Sequence, residues 1–487
     1  MAGACSLPDL KIENKESAEW ALPLVQGELA VSSLLTTSYQ QAQLLVSPDG
    51  TLNLRYTGDV LSKTKKDIFS PIPGGIPIPL LDTLNLVTLP VVNNVIIKKA
   101  ILTNGNFSYF YSHNRTEDIN LQIWIPEMTS NKKQLYSSYF IPYKGITVNG
   151  NTDKISMNDI LMVPVHNQIG LHYKSTTQSG IDFKMNNLFF TYDQIDFKYI
   201  EGFIGNNVYD LREDSIEMDL YDSFNQGSIY VDDPKVTMTV NSSFGFPTKA
   251  IVNKFLVQTK DGKQIPFSSK ILDNGIYFNY PKLTESGQSK STTVIFTKDN
   301  SNIRDIFNAQ AKRIIYDIDA LSNPDLIPDS TLFILDESKF VIHVQVDIPL
   351  KGRVSDYPAV ETFETDASKL TSLQEGSLLI ESTNTIPLSA DAQIYLYDVG
   401  NKIIDSLFNL RTTLFKSAST GADGKSITAI TQLISIPIPN AKINTWSNTR
   451  TVQVRAWFNS PVDKSVIQIS QTDKLKIRMG YVGKLKL

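Results

Sequence analysis

The chain has very few of the residues that carry covalent and metal chemistry, since its 487 residues include one cysteine and four histidines. A single cysteine excludes an internal disulfide framework, and a zinc site would lack its usual thiolate ligands. The charges nearly cancel, with 46 Lys and Arg against 50 Asp and Glu, so no field of one sign attracts nucleic acid or an anionic membrane surface. We therefore expect no nucleic-acid partner, no metal and no cofactor.

The sequence also lacks an apolar segment suited to a membrane-spanning helix. Its longest stretch almost without charge, residues 70–97, contains five prolines and a Gly-Gly pair, a density of helix breakers that is incompatible with a helix. The run Ile76, Pro77, Ile78, Pro79, Leu80 and Leu81 favours an extended edge element packed on its own domain. The alternative is a partner-binding arm, which makes these six residues candidate protein-contact residues.

Most of the chain alternates apolar and polar residues with a period of two, the pattern of half-buried strands. The clearest apolar sets are Ile195, Phe197 and Tyr199; Ile216, Met218 and Leu220; Val236, Met238 and Val240; Val452, Val454 and Ala456; and Leu475, Ile477 and Met479. Helical periodicity is confined to residues 302–312, where a short helix would bridge two strands. The sequence predicts an all-β protein of three tandem β-sandwich domains of immunoglobulin-like or Greek-key type.

An internal repeat divides the second part of the chain. Phe246-Pro247 with Ala250 recurs about 140 residues later as Ile386-Pro387 with Ala390, each followed by an apolar strand and a Gly-containing turn. We therefore predict a tether at 1–18, an N-terminal β-domain at 19–190, and two copies of one sandwich unit at 191–340 and 341–487. A duplicated scaffold indicates the shape of the protein but not which ligand or reaction it serves.

No catalytic constellation is present in the sequence, and we predict that the protein is not an enzyme. There is no nucleophile elbow and no His-Glu-x-x-His motif. His166 and His172 would be too far apart on an extended strand to share a metal ion. The acidic run Asp317, Asp319, Asn323 and Asp325 lacks the turn glycine and closing Glu of a calcium loop, so we interpret it as a strand end that turns at Asn-Pro.

Two of the four tryptophans are candidate ligand-binding residues. Trp124 lies between Ile123 and Ile125, so on a strand its ring points away from both isoleucines. Trp446 is the second candidate. Burial in the core is the interpretation we favour for both, and exposed rings that stack on a sugar are the alternative.

The N-terminal residues indicate an anchor. Small residues, Ala2 to Ala4, precede Cys5 as they do at the cleavage site of a bacterial lipoprotein signal peptide, although the apolar region that should come first is missing. Cys5 would then carry the lipid of a mature protein, with Met1 not the native start. An incidental free cysteine is the alternative.

With Cys5, the segment Glu19-Trp20-Ala21-Leu22-Pro23-Leu24 resembles the start of many lipoproteins of the phylum Bacteroidota. Residues 200–205, 241–247 and 316–324 resemble recurring blocks in envelope proteins of that group. A multidomain β-protein of this size is similar there to the periplasmic plug subunit of the type 9 secretion translocon. The resemblance implies no catalytic residue.

This resemblance implies a place on the periplasmic side of the outer membrane, because the acidic run that follows the lipid-bearing Cys in surface-exported members is absent after Cys5. The function that we predict is therefore a structural or interaction protein that plugs or braces a large outer-membrane β-barrel or translocon protein. Its contact with the membrane would be through the lipid anchor alone. The alternative function is a carbohydrate-binding lipoprotein, with a glycan as the partner of Trp124 or Trp446.

Overall fold

The computed structural model describes residues 19–30, 43–69, 71–89, 91, 94–210, 212–217, 227–327, 332–463 and 465–485. Cys5 and the predicted tether at 1–18 lie outside the described residues. Within them the protein is almost entirely antiparallel β-sheet, and the predicted all-β sandwich fold is confirmed. No helix of the described residues is long and apolar enough to cross a bilayer.

The first sandwich consists of a nine-stranded and a five-stranded sheet. The strands of the nine-stranded sheet are Leu84–Thr88, Ile96–Thr103, Ile119–Ser130, Lys133–Ile141, Leu161–Met162, Gln168–Thr177, Asp182–Phe183, Asp196–Phe203 and Phe333–Leu335. Those of the five-stranded sheet are Ile78–Pro79, Asn106–His113, Val148–Asn151, Ile155–Ser156 and Asn187–Tyr192. Alternating side chains from both sheets, such as Ile169 and Phe190, fill the space between them.

The second sandwich pairs a five-stranded with a six-stranded sheet. The five strands are Gln43–Val46, Leu52–Thr64, Lys235–Ser242, Lys290–Phe296 and Lys339–Pro349. The six are Val208–Asp210, Asp214–Glu217, Thr248–Thr259, Gln264–Pro266, Ile276–Phe278 and Ala311–Ser322. One continuous hydrophobic core runs through the first and second sandwiches.

The third sandwich has its own core. Its four-stranded sheet contains Glu19–Ala30, Leu373–Asn384, Ile430–Ile438 and Lys474–Leu485, and its five-stranded sheet Tyr357–Glu364, Ser389–Tyr397, Ile403–Ser406, Thr412–Phe415 and Thr451–Asn459. A small sheet of Ser228–Val231, Lys351–Ser355 and Ile467–Gln468 joins it to the second sandwich, and Ser419–Thr420 pairs with Ser426–Thr428.

Short helices connect strands at a few places. The α-helices are Lys65–Ile68, Ile303–Asn308 and Asn440–Trp446, and single 3₁₀ turns occupy Leu283–Glu285 and Ser368–Ser372. The helix expected at 302–312 is therefore shorter than the pattern indicated. Its end is set by the strand that begins at Ala311, where pairing with Thr259 takes over the backbone hydrogen bonds.

In the sequence, the first sandwich is inserted within the second, and the second within the third. Glu19–Ala30 pairs with the C-terminal strand Lys474–Leu485, and Leu52–Thr64 pairs with Lys339–Pro349. The predicted N-terminal β-domain at 19–190 thus contains three strands of other sandwiches: Glu19–Ala30 of the third, and Gln43–Val46 and Leu52–Thr64 of the second. These pairings are non-local, and a contiguous reading of the sequence does not reveal them.

The second and third sandwiches share one strand order. In each, an upstream strand of the first sheet pairs with the last long strand of the unit: Leu52–Thr64 with Lys339–Pro349, and Glu19–Ala30 with Lys474–Leu485. Glu19–Ala30 is an edge strand, whereas the short strand Gln43–Val46 pairs outside the start of Leu52–Thr64. In each, a short helix precedes the central strand of the second sheet. Thr248–Thr259 and Ser389–Tyr397, which follow the two proline motifs of the sequence repeat, occupy the same place beside that central strand.

A buried lysine joins the first and second sandwiches. Lys65, 2% exposed, follows the strand Leu52–Thr64, and its ammonium donates to Asp196 Oδ1, Asp336 Oδ1 and the carbonyl of Phe197, each at 2.7 Å. All three ammonium donors are thus used. The ring of Phe69 packs edge-on against that of Phe197 at 5.5 Å.

We expect Lys65→Ala to destabilise this junction by about 1–3 kcal/mol, because the Phe197 carbonyl and the largely buried Asp196 carboxylate each lose a hydrogen bond. The matched control is Lys66→Ala, since Lys66 is the exposed neighbour in the same helix and its loss should change stability by about 0.5 kcal/mol or less. Urea unfolding combined with hydrogen exchange of residues 196–203 measures the difference. Equal effects of the two substitutions would contradict the assigned role.

A buried carboxyl in the third sandwich makes stability depend on pH. Asp473 is buried, and burial raises its pKa to about 6, while the hydrogen bond that it accepts from the Ser470 N–H acts in the opposite direction. The folded state therefore binds the proton more tightly than the unfolded state. Stability is highest below the unfolded pKa and falls as the pH rises from about 4 to about 6.

Asp473→Asn should remove this loss, because the amide keeps an acceptor for Ser470 and carries no charge. We expect the variant to gain about 1–3 kcal/mol over the parent at pH 7 and little at pH 4. Asp463→Asn is the control: Asp463 is exposed, and its pKa is lowered by the Ser465 N–H. Denaturant titrations at pH 4, 5.5 and 7 test this, and a parent whose stability does not fall over that range would refute it.

Candidate functional site

Four strands of the nine-stranded sheet bring an aromatic row together on its outer face. The register places Leu84 beside His172, His172 beside Trp124, and Trp124 beside Tyr136. Residues in register across neighbouring strands point to the same face of a sheet. The imidazole and indole rings stack, with centroids 5.4 Å apart and planes 17° apart. We call these four residues the aromatic platform.

Strand alternation explains why the platform faces outward. Ile123 and Ile125 are buried in the core of the first sandwich, so Trp124 between them points to the opposite face, where its ring is half-buried. Tyr136 is 54% exposed because Lys133–Ile141 is paired on one side only among the described strands. Indole and phenol rings are therefore available from above the sheet.

Polar side chains line one side of the platform. The next row of the register contains Lys174, Gln122 and Ser138. Lys174 forms an ion pair with Asp182, and its hydrogen bond is the largest cause of the lowered pKa of that carboxyl. Gln122 and Ser138 make no side-chain hydrogen bond to any other described residue. They leave an amide and a hydroxyl available to a ligand lying on the rings.

Small and apolar residues form the other side. Gly170 lies beside Leu86 in the register, and a Cβ at Gly170 would lie 3.2 Å from His172 Nε2 and 3.4 Å from Leu84 Cδ1. A larger residue would therefore crowd the platform at this point. The Gly170 N–H donates to Glu127 Oε2 at 2.9 Å, which holds the strand in place.

The second candidate tryptophan is not available for stacking. Trp446 is 5% exposed, and its indole N–H donates to Asp405 at 2.6 Å. It packs in the third sandwich at the end of the helix Asn440–Trp446, beside residues such as Ile443. The sugar-stacking interpretation of Trp446 is therefore wrong, because a buried and hydrogen-bonded indole offers no free face.

The proline-rich segment lies at an edge of the first sandwich. Ile78–Pro79 pairs with Phe189–Phe190, and Leu80 is buried. Ile76 and Leu81 remain 76% and 79% exposed. The segment thus forms the edge element that the prolines indicated and also presents two apolar side chains to solvent. Its role as a protein-contact segment stays a prediction.

The other polar candidates from the sequence lie elsewhere. His166 lies in a left-handed turn, at φ 52°. It is not part of the aromatic platform, to which His172 belongs. Asp317 and Asp319 lie near Asp210, with carboxylate oxygens within 4.8 Å of one another. Asp319 also accepts from Asn253 at 2.7 Å. Exposed acidic groups commonly lie together without an ion, so the cluster alone does not define a metal site.

Asn323 and Asp325 form the turn that follows this acidic pair. Asn323 has φ 44°, and its side-chain oxygen accepts the Ile327 N–H at 2.9 Å. This is the local hydrogen bonding typical of asparagine in turns. The two residues therefore lie in a turn after the strand Ala311–Ser322, as the sequence indicated.

Sequence reasoning named Trp124 and missed its neighbours. Leu84, Tyr136 and His172 come from three other strands, and their meeting depends on register. The alternation at 133–141, where Tyr136 and Phe140 share the exposed face, was the one local signal that an aromatic surface lay there.

Comparison with known proteins yields no family: no family and no curated protein matches the chain. Among solved structures, a "putative secreted protein" from Parabacteroides distasonis, a member of the Bacteroidota, is similar at 8% identity, covering 96% of this chain and 100% of that one, with a TM-score of 0.31. A structure of infectious bursal disease virus, Gx strain, is similar at 9% identity over 91% and 81%, with a TM-score of 0.16. At these scores the similarities carry no argument about family or activity.

Proposed function

We propose that the protein is a non-catalytic binding protein of the cell envelope that holds a glycan on the aromatic platform. The observation that carries this proposal is the outward row of Leu84, His172, Trp124 and Tyr136. Clustered aromatic side chains on the open face of a sheet are unusual unless they meet a partner.

The chemistry of the platform suits a sugar. One face of a pyranose ring carries C–H groups that pack on an aromatic ring, and its edges carry hydroxyls that need hydrogen bonds. Trp124 and Tyr136 offer the rings, while Gln122 and Ser138 offer an amide and a hydroxyl one row away. A ligand site of this kind needs only a few placed polar groups beside an apolar surface.

We expect Trp124→Ala to weaken glycan binding at least tenfold, about 1.4 kcal/mol, because the stacking surface is removed. Gln122→Ala should weaken it about fivefold through one lost hydrogen bond. Trp457→Ala is the control: Trp457 lies on the third sandwich, and the Arg411 guanidinium covers its ring at 3.6 Å. A panel of bacterial and host oligosaccharides, followed by calorimetry on the best binder, tests the three variants.

Two results would refute the proposal. One is that no member of the panel binds the parent protein. The other is a bound glycan whose affinity is unchanged by Trp124→Ala and by Tyr136→Ala, which would place the sugar elsewhere.

A second candidate function rests on the exposed apolar residues Ile76 and Leu81. We infer that a lipid-anchored protein on the periplasmic side of the outer membrane would use this segment to plug or brace a large β-barrel such as the type 9 translocon. The resemblance of the N-terminal sequence to Bacteroidota lipoproteins supports this candidate. A specific interface buries at least about 1,000 Å², so Ile76 and Leu81 would be part of a larger contact.

Affinity purification from the native envelope distinguishes the two candidates. A near-stoichiometric outer-membrane partner that is lost with Ile76→Asp and Leu81→Asp supports the bracing function. Retention of that partner by the double variant would exclude this segment as the contact.

A further inference from the structure

A second apolar space lies inside the second sandwich, away from the platform. It is a cavity of about 200 Å³ between the two sheets. The five-stranded sheet contributes Val236, Met238, Val344 and Val346, and the six-stranded sheet contributes Phe255, Ile314 and Ile318, among other apolar side chains. For comparison, an engineered cavity of about 150 Å³ lined by such residues stays dry and binds benzene.

The cavity is not a requirement of the fold, because the third sandwich has the same strand order and a nearly filled core, with a cavity of only about 40 Å³. Val344 and Val346 are only half-buried on Lys339–Pro349, whereas Ile477 and Met479 are buried on the corresponding strand Lys474–Leu485. Protein interiors are normally close-packed. Inward-facing aliphatic side chains that remain partly accessible therefore indicate a space kept open.

A glycine of Leu52–Thr64 lies next to one of the lining residues and is exposed. Gly58 lies beside Val344 in the register, and a Cβ built on Gly58 would meet nothing within 4 Å. On the edge strand of the corresponding sheet in the third sandwich, a Cβ on Gly27 would collide with the ring of Phe363. The ring occupies that position in the third sandwich and lines a cavity of only about 40 Å³, whereas in the second sandwich the described residues leave the position beside Gly58 open.

The rim of the cavity carries a cation that pairs with no carboxylate of the described residues. Arg212 lines the cavity and is exposed, and no described carboxylate lies within salt-bridge distance of its guanidinium. Two carboxylates, Asp214 and Glu217, also line the cavity, and both have partners. Glu217 accepts from Arg313 Nε at 2.6 Å, and Asp214 accepts from the Tyr316 hydroxyl at 3.5 Å. Glu213 pairs with Lys254. A guanidinium free of its own carboxylate suits the bidentate binding of an external one.

We propose that this cavity binds one fatty acid, with its alkyl chain between the two sheets and its carboxylate on Arg212. Each methylene that leaves water contributes about 0.8 kcal/mol, and the lining offers aliphatic and phenylalanine side chains for that contact. The interior has too few hydrogen-bonding groups for a sugar. The proposal is independent of the glycan platform, which lies on another sandwich.

The test uses the whole chain and three amphiphiles with the same twelve-carbon chain: dodecanoate, dodecanol and dodecyltrimethylammonium, below their micellar concentrations. We expect dodecanoate to bind with 1:1 stoichiometry in calorimetry and native mass spectrometry. Dodecanol should bind about tenfold more weakly, and the cationic amphiphile more weakly still. No dodecanoate binding, or equal binding of all three, would overturn the proposal.

Two variants locate the site. Gly58→Leu places a side chain in the empty space and should reduce dodecanoate binding at least tenfold, whereas Thr57→Leu, exposed on the same strand, should leave it unchanged. Arg212→Gln, a surface change that leaves the core intact, should weaken dodecanoate about tenfold and leave dodecanol unaffected. Unchanged dodecanoate affinity in Gly58→Leu or in Arg212→Gln would place the ligand elsewhere.

Discussion

The pairing of the first described strand with the last is the constraint on which the architecture depends. Glu19–Ala30 and Lys474–Leu485 lie side by side over almost their whole length, and every other described residue lies between them in the sequence. The second sandwich repeats this closure with Leu52–Thr64 and Lys339–Pro349, and the first sandwich is inserted within it. Pairing of strands this far apart in the sequence has a large entropic cost of loop closure. The inner sandwiches reduce that cost for the outer strand pairs.

Polar junctions hold the nested units in place. Between the first two sandwiches, the buried Lys65 satisfies three oxygens at once. Between the second and third sandwiches, the Asp49 carboxylate accepts hydrogen bonds from Thr51, Lys425 and Gln468. The hydrogen bonds from Thr51 are the largest cause of its lowered pKa. Each junction links residues more than 130 positions apart, which makes the relative position of the candidate sites a property of the fold.

The duplicated unit shows how one topology supports different interiors. In the third sandwich, Phe363 and Met479 fill the space between the sheets. In the second, Gly58, Val344 and Val346 leave part of it open. The strand order is unchanged between the two, so the difference comes from side-chain volume at a few inward positions. A binding function can in this way be added to a scaffold without alteration of its fold.

The sequence by itself determined the all-β class, the position of the bridging helix and the outward direction of Trp124, because these follow from a period of two or 3.6 residues over a short window. It also indicated the repeat through its prolines. Only the tertiary structure decided that Leu84, His172 and Tyr136 join Trp124, that Trp446 is buried, that residues 19–30 and 52–64 belong to distant sandwiches, and that one core is open. These features depend on register and packing between segments far apart in the chain, and local periodicity contains no information about which strands meet.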